Sequence, residues 1–311
     1  MTDRSQIANL NGVAPLSHLG VIQVEGEETA KFIHSQLTHD FALLGQDRAR
    51  LAAFCNAKGR MQASFIGFKR PGGDILLVCS RDILAFTMKR LSMFVMRAKV
   101  RLTDASTLFE LFGLAGNAIY SVASHTTSVW AKSDFLGSTL VNLYPADGVA
   151  RQLLLSPVGA TPPQGAPLSE ELWAWSEVRS GVATITAPVV EAFVPQMLNF
   201  ESVDGVNFKK GCYPGQEVVA RSQFRGTLKR RALIAHCDGP VAVGAEVFFA
   251  AEDEAQSVGM VVQAAPHPEG GFDAIVSLQL SALNRGTLHM ERPDGPLLQL
   301  LALPYPLIED I

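Results

Sequence analysis

The sequence predicts an α+β region followed by a small C-terminal β-barrel. In the first part, short apolar stretches alternate with two segments of helical spacing, in the order strand, helix, three strands, helix and strand. That order is typical of helices packed on a mainly antiparallel sheet. After about Gly226 the chain changes to short runs rich in Val, Ala and Ile, punctuated by Gly and Pro. Such runs indicate an all-β domain, most simply a barrel.

The elements of the first part follow from apolar periodicity. A helix is expected over 27–37, because Ala30, Ile33 and Leu37 share one face. A second is expected to run from the N-cap residue Ser80 to Arg97. The buried stripe of that second helix is predicted to contain Leu84, Met88, Leu91 and Val95. Strands are predicted at 19–24, 51–55, 61–68, 75–79, near Val100 and at 108–114.

The rest of the chain divides at a Pro-, Gly- and Ala-rich linker over 157–167. A helix is expected over 168–181, capped near Ser169 and stopped by Gly181. The barrel strands are predicted at 232–237, 245–250, 257–263 and 272–280. We therefore expect two domains, residues 1–226 and residues 227–311.

Composition limits the function. The 311 residues are 48% hydrophobic and 18% charged, with a net charge of −4, which favours a large core over disorder and opposes a globally basic nucleic-acid binder. No apolar run reaches the ~18 residues that span a bilayer, so no membrane partner is expected. The opening residues lack the pattern of a secretory signal, which predicts a cytoplasmic protein.

The cysteines and histidines form no compact metal motif, so no metal site is expected. Four cysteines lie far apart, at Cys55, Cys79, Cys212 and Cys237. Cys55 and Cys79 fall inside apolar strands, which predicts core packing for both. His34 and His39 fit no metal-bearing helix face and are interpreted as solvated side chains or helix-end residues.

Positive charge is concentrated over 209–231, which overlaps the end of the segment 193–226. Seven cations lie in 23 residues: Lys209, Lys210, Arg221, Arg225, Lys229, Arg230 and Arg231. Glu217 is the only acid among them. Such a cluster suits an anionic ligand such as a polyglutamate tail, a phosphate or RNA, and a solvated face is the alternative.

Cys212 lies in a loop of the same segment. Gly211 and Gly215 flank it closely, which predicts a tight and sterically open loop. Lys209 and Lys210 would favour the thiolate, the reactive form of cysteine. A buried structural cysteine is the alternative interpretation.

One motif carries a family resemblance. Residues 210–217 read Lys-Gly-Cys-Tyr-Pro-Gly-Gln-Glu and are followed by Ala220-Arg221, which resembles the signature of the YgfZ family. The resemblance extends to Phe193, Pro195, Gln196, Phe224, Arg225 and Gly226, and to an N-terminal motif of Phe32, Gln36, Leu37, Thr38 and Asp40. It covers the chain from about Leu16 to the barrel.

The resemblance implies a folate-binding protein related to the glycine-cleavage T-protein, with ferredoxin-like α/β layers and a C-terminal barrel. It implies tetrahydrofolate as cofactor and an accessory role for iron–sulfur enzymes, including those that modify tRNA, with tRNA itself involved at most indirectly. Cys212 is then the functional thiol. The residues expected to bind the cofactor are Lys210, Gly211, Tyr213, Gln216, Glu217, Arg221 and Arg225.

The chain departs from the T-protein at two sites. The T-protein carries an Asp-Asp pair shortly after an Asn-x-x-Gly turn, whereas here the turn 56–59 is followed by Ala63 and Ser64, which cannot act as carboxylate bases. Arg179 replaces the pterin-binding Glu of the T-protein's Arg-x-Glu-x-Gly motif. An enzyme of that type is therefore not expected. A folate-dependent one-carbon transferase and a direct tRNA-binding module remain the alternatives.

Overall fold

The computed structural model describes residues 10–120, 128–224, 228–251, 254–283 and 286–308. Within them the strands are β1 Gly12–Pro15, β2 Leu19–Glu25, β3 Ala49–Cys55, β4 Met61–Lys69, β5 Ile75–Ser80, β6 Arg101–Asp104, β7 Phe109–Ala115, β8 Lys132–Phe135, β9 Ser138–Asn142, β10 Arg151–Pro157, β11 Arg230–Cys237, β12 Glu246–Ala251, β13 Glu254–Pro266, β14 Phe272–Gln279, β15 Thr287–Met290 and β16 Leu298–Leu301. The α-helices are α1 Thr29–Gln36, α2 Leu84–Ser92, α3 Glu170–Arg179 and α4 Gln216–Phe224. None of these helices is long and apolar enough to cross a bilayer.

The first sheet has the order β3-β4-β5-β2-β6, and all of its neighbours are antiparallel. Every residue of β5 is buried, as are seven of the nine residues of β4. With α1 and α2 this sheet forms the predicted α+β layer, and the expected fold class is confirmed. The sequence located its strands correctly because apolar and β-branched residues are concentrated in them.

The second sheet, of order β1-β7-β10-β9-β8, was only partly predicted. Strands β8, β9 and β10 lie in a region to which the sequence analysis assigned no element. Their pairing is antiparallel, with Leu153 opposite Val141 in the middle of the sheet. The first residue of β10 is Arg151, a buried cation that interrupts the apolar pattern by which strands are recognised.

The C-terminal sheet, of order β15-β12-β13-β14-β11-β16, curls into a nearly closed barrel. Its two edge strands approach each other at an isolated bridge between His289 and Leu297. The barrel has its own apolar core, while Ile234 and Ile275 belong to the main core of the molecule. All four predicted barrel strands are present, and the short edge strands β15 and β16 were missed.

Helix α2 differs from expectation at both ends. The predicted start at the N-cap residue Ser80 is wrong, because residues Arg81–Ile83 form a 3₁₀ turn, Ser80 makes no side-chain capping hydrogen bond, and the α-helix begins at Leu84. The predicted extension of α2 to Arg97 is wrong, because the helix ends at Ser92. Beyond it the backbone N–H groups of Phe94 and Val95 bond three residues back, and Met96 has a φ of +39°. The expected cap of α3 is confirmed, since the Ser169 hydroxyl accepts the Leu172 N–H at 3.1 Å.

Candidate functional site

The motif 210–217 is anchored to the end of α1 by Lys210. Its buried ammonium donates to the carbonyl oxygen of Leu37 at 2.6 Å and to that of His34. These carbonyls lie at the C-terminal end of α1, where a cation is favourable. Burial lowers the pKa of Lys210 to about 8, although the charges of Asp40 and Cys212 act in the opposite direction. The lysine predicted to bind a cofactor thus holds the loop to the C-terminal end of α1.

Cys212 is exposed, whereas Cys55, Cys79 and Cys237 are buried. The expected core positions of Cys55 and Cys79 are therefore confirmed. Burial raises the pKa of Cys79 to about 12 and that of Cys55 further still. Next to Cys212, the ring of Tyr213 is buried, and its centroid lies 4.8 Å from the Lys210 ammonium nitrogen. The motif consequently combines an exposed free thiol with a buried aromatic ring at the next residue.

Helix α4 follows the motif and was not predicted. It buries Val219, whose carbonyl accepts the Gln196 side-chain amide at 2.7 Å. Glu217 and Arg221 lie on its exposed side, 3.9 Å apart, where an ion pair contributes little to stability. Gln216 begins the helix. Three of the predicted cofactor-binding residues thus lie on one short helix.

The cations over 209–231 that the structure describes lie in different environments. Lys210 is buried on α1, and Arg231 is buried against Glu201 and the carbonyl of Ile308. Lys209 is exposed, and Arg225 lies outside the described residues. A surface groove between α4 and β11 contains the remaining three cations, Arg221, Lys229 and Arg230. The compact cationic cluster that the sequence suggested is therefore a groove with three cations.

Two histidines proved to be paired with carboxylates. His34 Nδ1 lies 3.0 Å from Asp40 Oδ1, and His39 Nε2 lies 3.2 Å from Asp204 Oδ1. His39 is buried and His34 is half-buried. His34 does lie in the last turn of α1, as a helix-end residue, but His39 is not solvated. The carboxylate partners were not predicted, because spacing along the chain does not reveal a turn that brings residue 40 back to residue 34.

A cavity lies between the first sheet, the segment around Tyr144 and the end of α3. Its walls are mainly apolar and include the aromatic rings of Phe65, Trp130 and Tyr144. The polar residues that line it are Ser64, Tyr144, Arg151, Glu177, Ser180 and Thr184. No residue of the motif 210–217 is part of this lining. The structure therefore places the motif and the cavity in separate regions.

Glu177 and Arg151 are the charged residues of the cavity. Glu177 Oε1 accepts the Trp173 indole N–H at 3.0 Å and lies 3.4 Å from His18 Nε2. Arg151 stacks on Trp173, with its guanidinium carbon 4.4 Å from the ring centroid. Glu177 Oε2 makes no hydrogen bond to a described residue, and the buried Arg151 Nε also has no partner among them. Two charged residues of the lining thus each carry a side-chain atom without a hydrogen bond to a described residue.

The charges of His18 and Arg151 stabilise the ionised form of Glu177. Burial alone would raise the pKa of Glu177, but His18, Arg151 and the Trp173 N–H together hold it below its usual value. Burial lowers the pKa of Arg151 to about 10, which leaves it protonated at neutral pH. The cavity therefore holds an ionised carboxylate beside a cation. The sequence analysis missed both residues, because an isolated acid in α3 and an isolated Arg at the start of β10 carry no motif.

The comparisons with known proteins agree with the motif. The chain is 31% identical over 223 residues to the tRNA-modifying protein YgfZ of Colwellia psychrerythraea, covering 69% of this chain and 68% of that protein. The chain belongs to the YgfZ family. It is also 27% identical over 308 residues to the tRNA-modifying protein YgfZ of Sodalis glossinidius, covering 93% and 92% of the two chains. No family model matches.

A solved structure shares the fold of this YgfZ-family chain. The crystal structure of the glycine cleavage system aminomethyltransferase T from Bartonella henselae superposes with a TM-score of 0.71 at 14% identity. The match covers 98% of this chain and 88% of that protein. The expected T-protein-like architecture is therefore confirmed at the level of the fold.

Of the residues that depart from the T-protein pattern, only Ser64 lines the cavity. Its hydroxyl accepts the Ile185 N–H at 2.9 Å, while Ala63 is completely buried. Arg179 is not part of the lining; its Nε and Nη2 bond the two carboxylate oxygens of Asp147 at 2.9 and 2.6 Å. The carboxylate that this YgfZ-family chain presents to the cavity from α3 is therefore Glu177, two residues earlier.

Proposed function

We propose that this protein binds a reduced folate in the cavity beside Glu177 and, through that folate and Cys212, supports iron–sulfur enzymes that modify tRNA. The observation that carries the proposal is a cavity lined by aromatic rings, Arg151 and Glu177, where Glu177 Oε2 makes no hydrogen bond to a described residue. Residues 1–226 would form the folate-binding region and residues 227–311 the barrel. The proposed location is the cytoplasm.

The residues of the cavity fit the pterin ring of tetrahydrofolate. One edge of a pterin carries neighbouring N–H donors beside a carbonyl acceptor. An ionised carboxylate is a strong acceptor for such donors, and Glu177 Oε2 is available. Arg151 is the cation of the cavity lining, and its guanidinium would donate to the pterin carbonyl. Trp130 and Tyr144 offer aromatic surface for the flat ring. A bound reduced folate would supply one-carbon chemistry to the site.

The link to tRNA modification comes from the relatives. Two members of the family that match this chain are named tRNA-modifying proteins. The exposed Cys212 thiol in the family motif is the group through which we propose that the protein acts on iron–sulfur partners. A soft thiolate is a ligand that iron–sulfur clusters accept. The proposed contact is with the modifying enzymes, and tRNA takes part only indirectly.

Titration calorimetry with tetrahydrofolate tests the folate proposal. We expect micromolar binding, which corresponds to about −8 kcal/mol, and a raised melting temperature in excess ligand. Glu177→Gln should weaken binding about tenfold or more, because a charge-assisted hydrogen bond is lost. Glu171→Gln is the matched control, since Glu171 is an exposed acid on the same helix. Absence of binding at millimolar folate would refute the proposal.

Complementation tests the cellular role. A strain lacking this protein should lose activity of iron–sulfur enzymes and show a deficit of modified nucleosides in digested tRNA, measured by mass spectrometry. The native gene should restore both, and a Cys212→Ala variant should restore neither. Unchanged tRNA nucleosides and unchanged iron–sulfur enzyme activities in the deletion strain would contradict the proposed role.

A further inference from the structure

His34 is held beside the loop that carries Cys212. Its Nε2 lies 3.4 Å from the position that a Cβ atom on Gly211 would occupy, and Gly211 directly precedes Cys212. A side chain at residue 211 would contact the imidazole at this distance, so the glycine lets the ring lie close to the loop backbone. The sequence separation between the two residues conceals this proximity.

The proximity is maintained by buried contacts. The Lys210 ammonium donates to the carbonyl of Leu37 at 2.6 Å and to the carbonyl of His34 itself. Because that ammonium is buried, its bonds are not weakened by exchange with water. Gln216 adds an amide contact of 3.5 Å to the Lys210 carbonyl on the other side of Cys212. The loop around Cys212 is therefore tied to the helix end that carries His34.

Asp40 orients the imidazole. Its Oδ1 lies 3.0 Å from His34 Nδ1 and also accepts the Leu43 N–H at 3.0 Å. Burial alone would raise the pKa of Asp40, but the Leu43 N–H and the charge of His34 hold it below its usual value. An ionised Asp40 favours a proton on Nδ1 and so leaves the Nε2 lone pair toward the loop. The Ala42 N–H, at 3.4 Å from Nδ1, is a longer and weaker alternative contact.

We propose that His34, positioned by Asp40, accepts the proton of the Cys212 thiol through Nε2, so that residues 212, 34 and 40 act as a thiol–imidazole–carboxylate unit. In this step the S–H bond breaks, the electron pair remains on sulfur, and the proton forms the second N–H of an imidazolium paired with Asp40. The thiolate is then available to a soft metal centre or an electrophilic carbon. His34 does not itself touch a bound partner in this proposal; it acts by accepting the proton of Cys212. The inference rests on the proposed role of Cys212 as the functional thiol.

The charged groups near residues 212, 34 and 40 favour transfer of the proton from the thiol to the imidazole. Lys210 lies close enough for its charge to interact with both Asp40 and Cys212, and Lys209 is an exposed cation next to it in the chain. Asp40 is the carboxylate on the far side of the imidazole from the loop. A thiolate at Cys212 would thus form near the Lys210 ammonium, while the Asp40 carboxylate lies behind the histidine.

The pH dependence of Cys212 alkylation tests the proposal without folate or partner. The rate constant with iodoacetamide is measured from about pH 5 to 10 by mass spectrometry of the Cys212 peptide. His34→Gln, whose amide can still bond Asp40, should move the midpoint of the profile up by about one pH unit or more. Reactivity at neutral pH should fall about tenfold, because the thiolate is the nucleophile. Asp40→Asn should shift the profile in the same direction, which also covers the case in which His34→Gln does not fold.

His18→Gln is the matched control, because His18 is also an imidazole bonded to a carboxylate, but its partner is Glu177. Its Cys212 profile should be identical to that of the native protein. Superimposable profiles of His34→Gln and native protein would overturn the inference, whatever the complementation result. If the profile shifts but Cys212→Ala complements fully, the proposed role of the thiol fails and the proton relationship stands.

Discussion

Gly215 of the family motif packs directly on Gly59 of the β3–β4 turn. A Cβ atom on Gly215 would lie 2.7 Å from the Gly59 Cα and 2.4 Å from the Asn56 carbonyl oxygen. Both glycines have positive φ, +72° at Gly59 and +80° at Gly215. The motif and the turn of the first sheet therefore meet backbone to backbone, which explains why two glycines more than 150 residues apart are both required.

Gly215→Ala should destabilise the protein strongly. Positive φ alone costs a side chain about 1–2 kcal/mol, and the contact with the turn adds about 1–3 kcal/mol for overpacking. Gly73→Ala is the matched control, since Gly73 has a φ of +92° but no atom within 4 Å of the added Cβ. Urea unfolding of both variants should show a clearly lower free energy of unfolding for Gly215→Ala. Equal losses would mean that the contact has no energetic role.

The protein should lack aminomethyltransferase activity. The T-protein's carboxylate positions read Ala63 and Ser64 here, and the Ser64 hydroxyl is already engaged by the Ile185 N–H. Loss of a general base typically costs about 10²–10⁴ in rate. Added to the other components of glycine cleavage, the purified protein should produce no methylene-tetrahydrofolate above a protein-free control. Measurable turnover would show that another carboxylate has taken this role and would favour the one-carbon transferase hypothesis.

The His18–Glu177 pair should make stability depend on pH. Burial alone would lower the pKa of His18, but the hydrogen bond and charge of Glu177 outweigh it and raise the pKa. A raised pKa means that the stabilisation is fully present below about pH 6.5 and is lost as pH rises through the folded-state pKa. The difference in melting temperature between native protein and His18→Gln should therefore be larger at about pH 6 than at about pH 8.5. A difference independent of pH would contradict this assignment.

Alkylation of the folded protein should modify Cys212 before the other three cysteines. Cys212 is exposed, while Cys55, Cys79 and Cys237 are buried, so reagents reach them only after local or global opening. Peptide mapping after brief treatment should find label on Cys212 alone, and denatured protein should take up label at all four. Cys212→Ala should change the free energy of unfolding by less than about 0.5 kcal/mol, as exposed substitutions usually do. A much earlier melting transition would identify Cys212 as a packing residue instead.

Local patterns were sufficient for much of the fold. Apolar runs located β2 to β5 and the barrel strands β11 to β14, because burial of one strand depends mainly on its own residues. The prediction failed at β10, which begins with buried Arg151, and beyond Ser92, where turns replace the helix. Beyond Ser92 the side chains of Met93 and Met96 are exposed, so little burial holds a further helical turn in place.

By itself the sequence determined the family motif at 210–217, the strand and helix order of the first sheet, and the absence of carboxylates at residues 63 and 64. Only the tertiary structure decided that Lys210 anchors a loop to α1, that Glu177 and not residue 179 faces the cavity, and that His34 lies beside Gly211. The physical reason is distance along the chain. Lys210 and His34 are 176 residues apart, and such contacts depend on how whole sheets and helices pack, which periodicity within a short window does not encode.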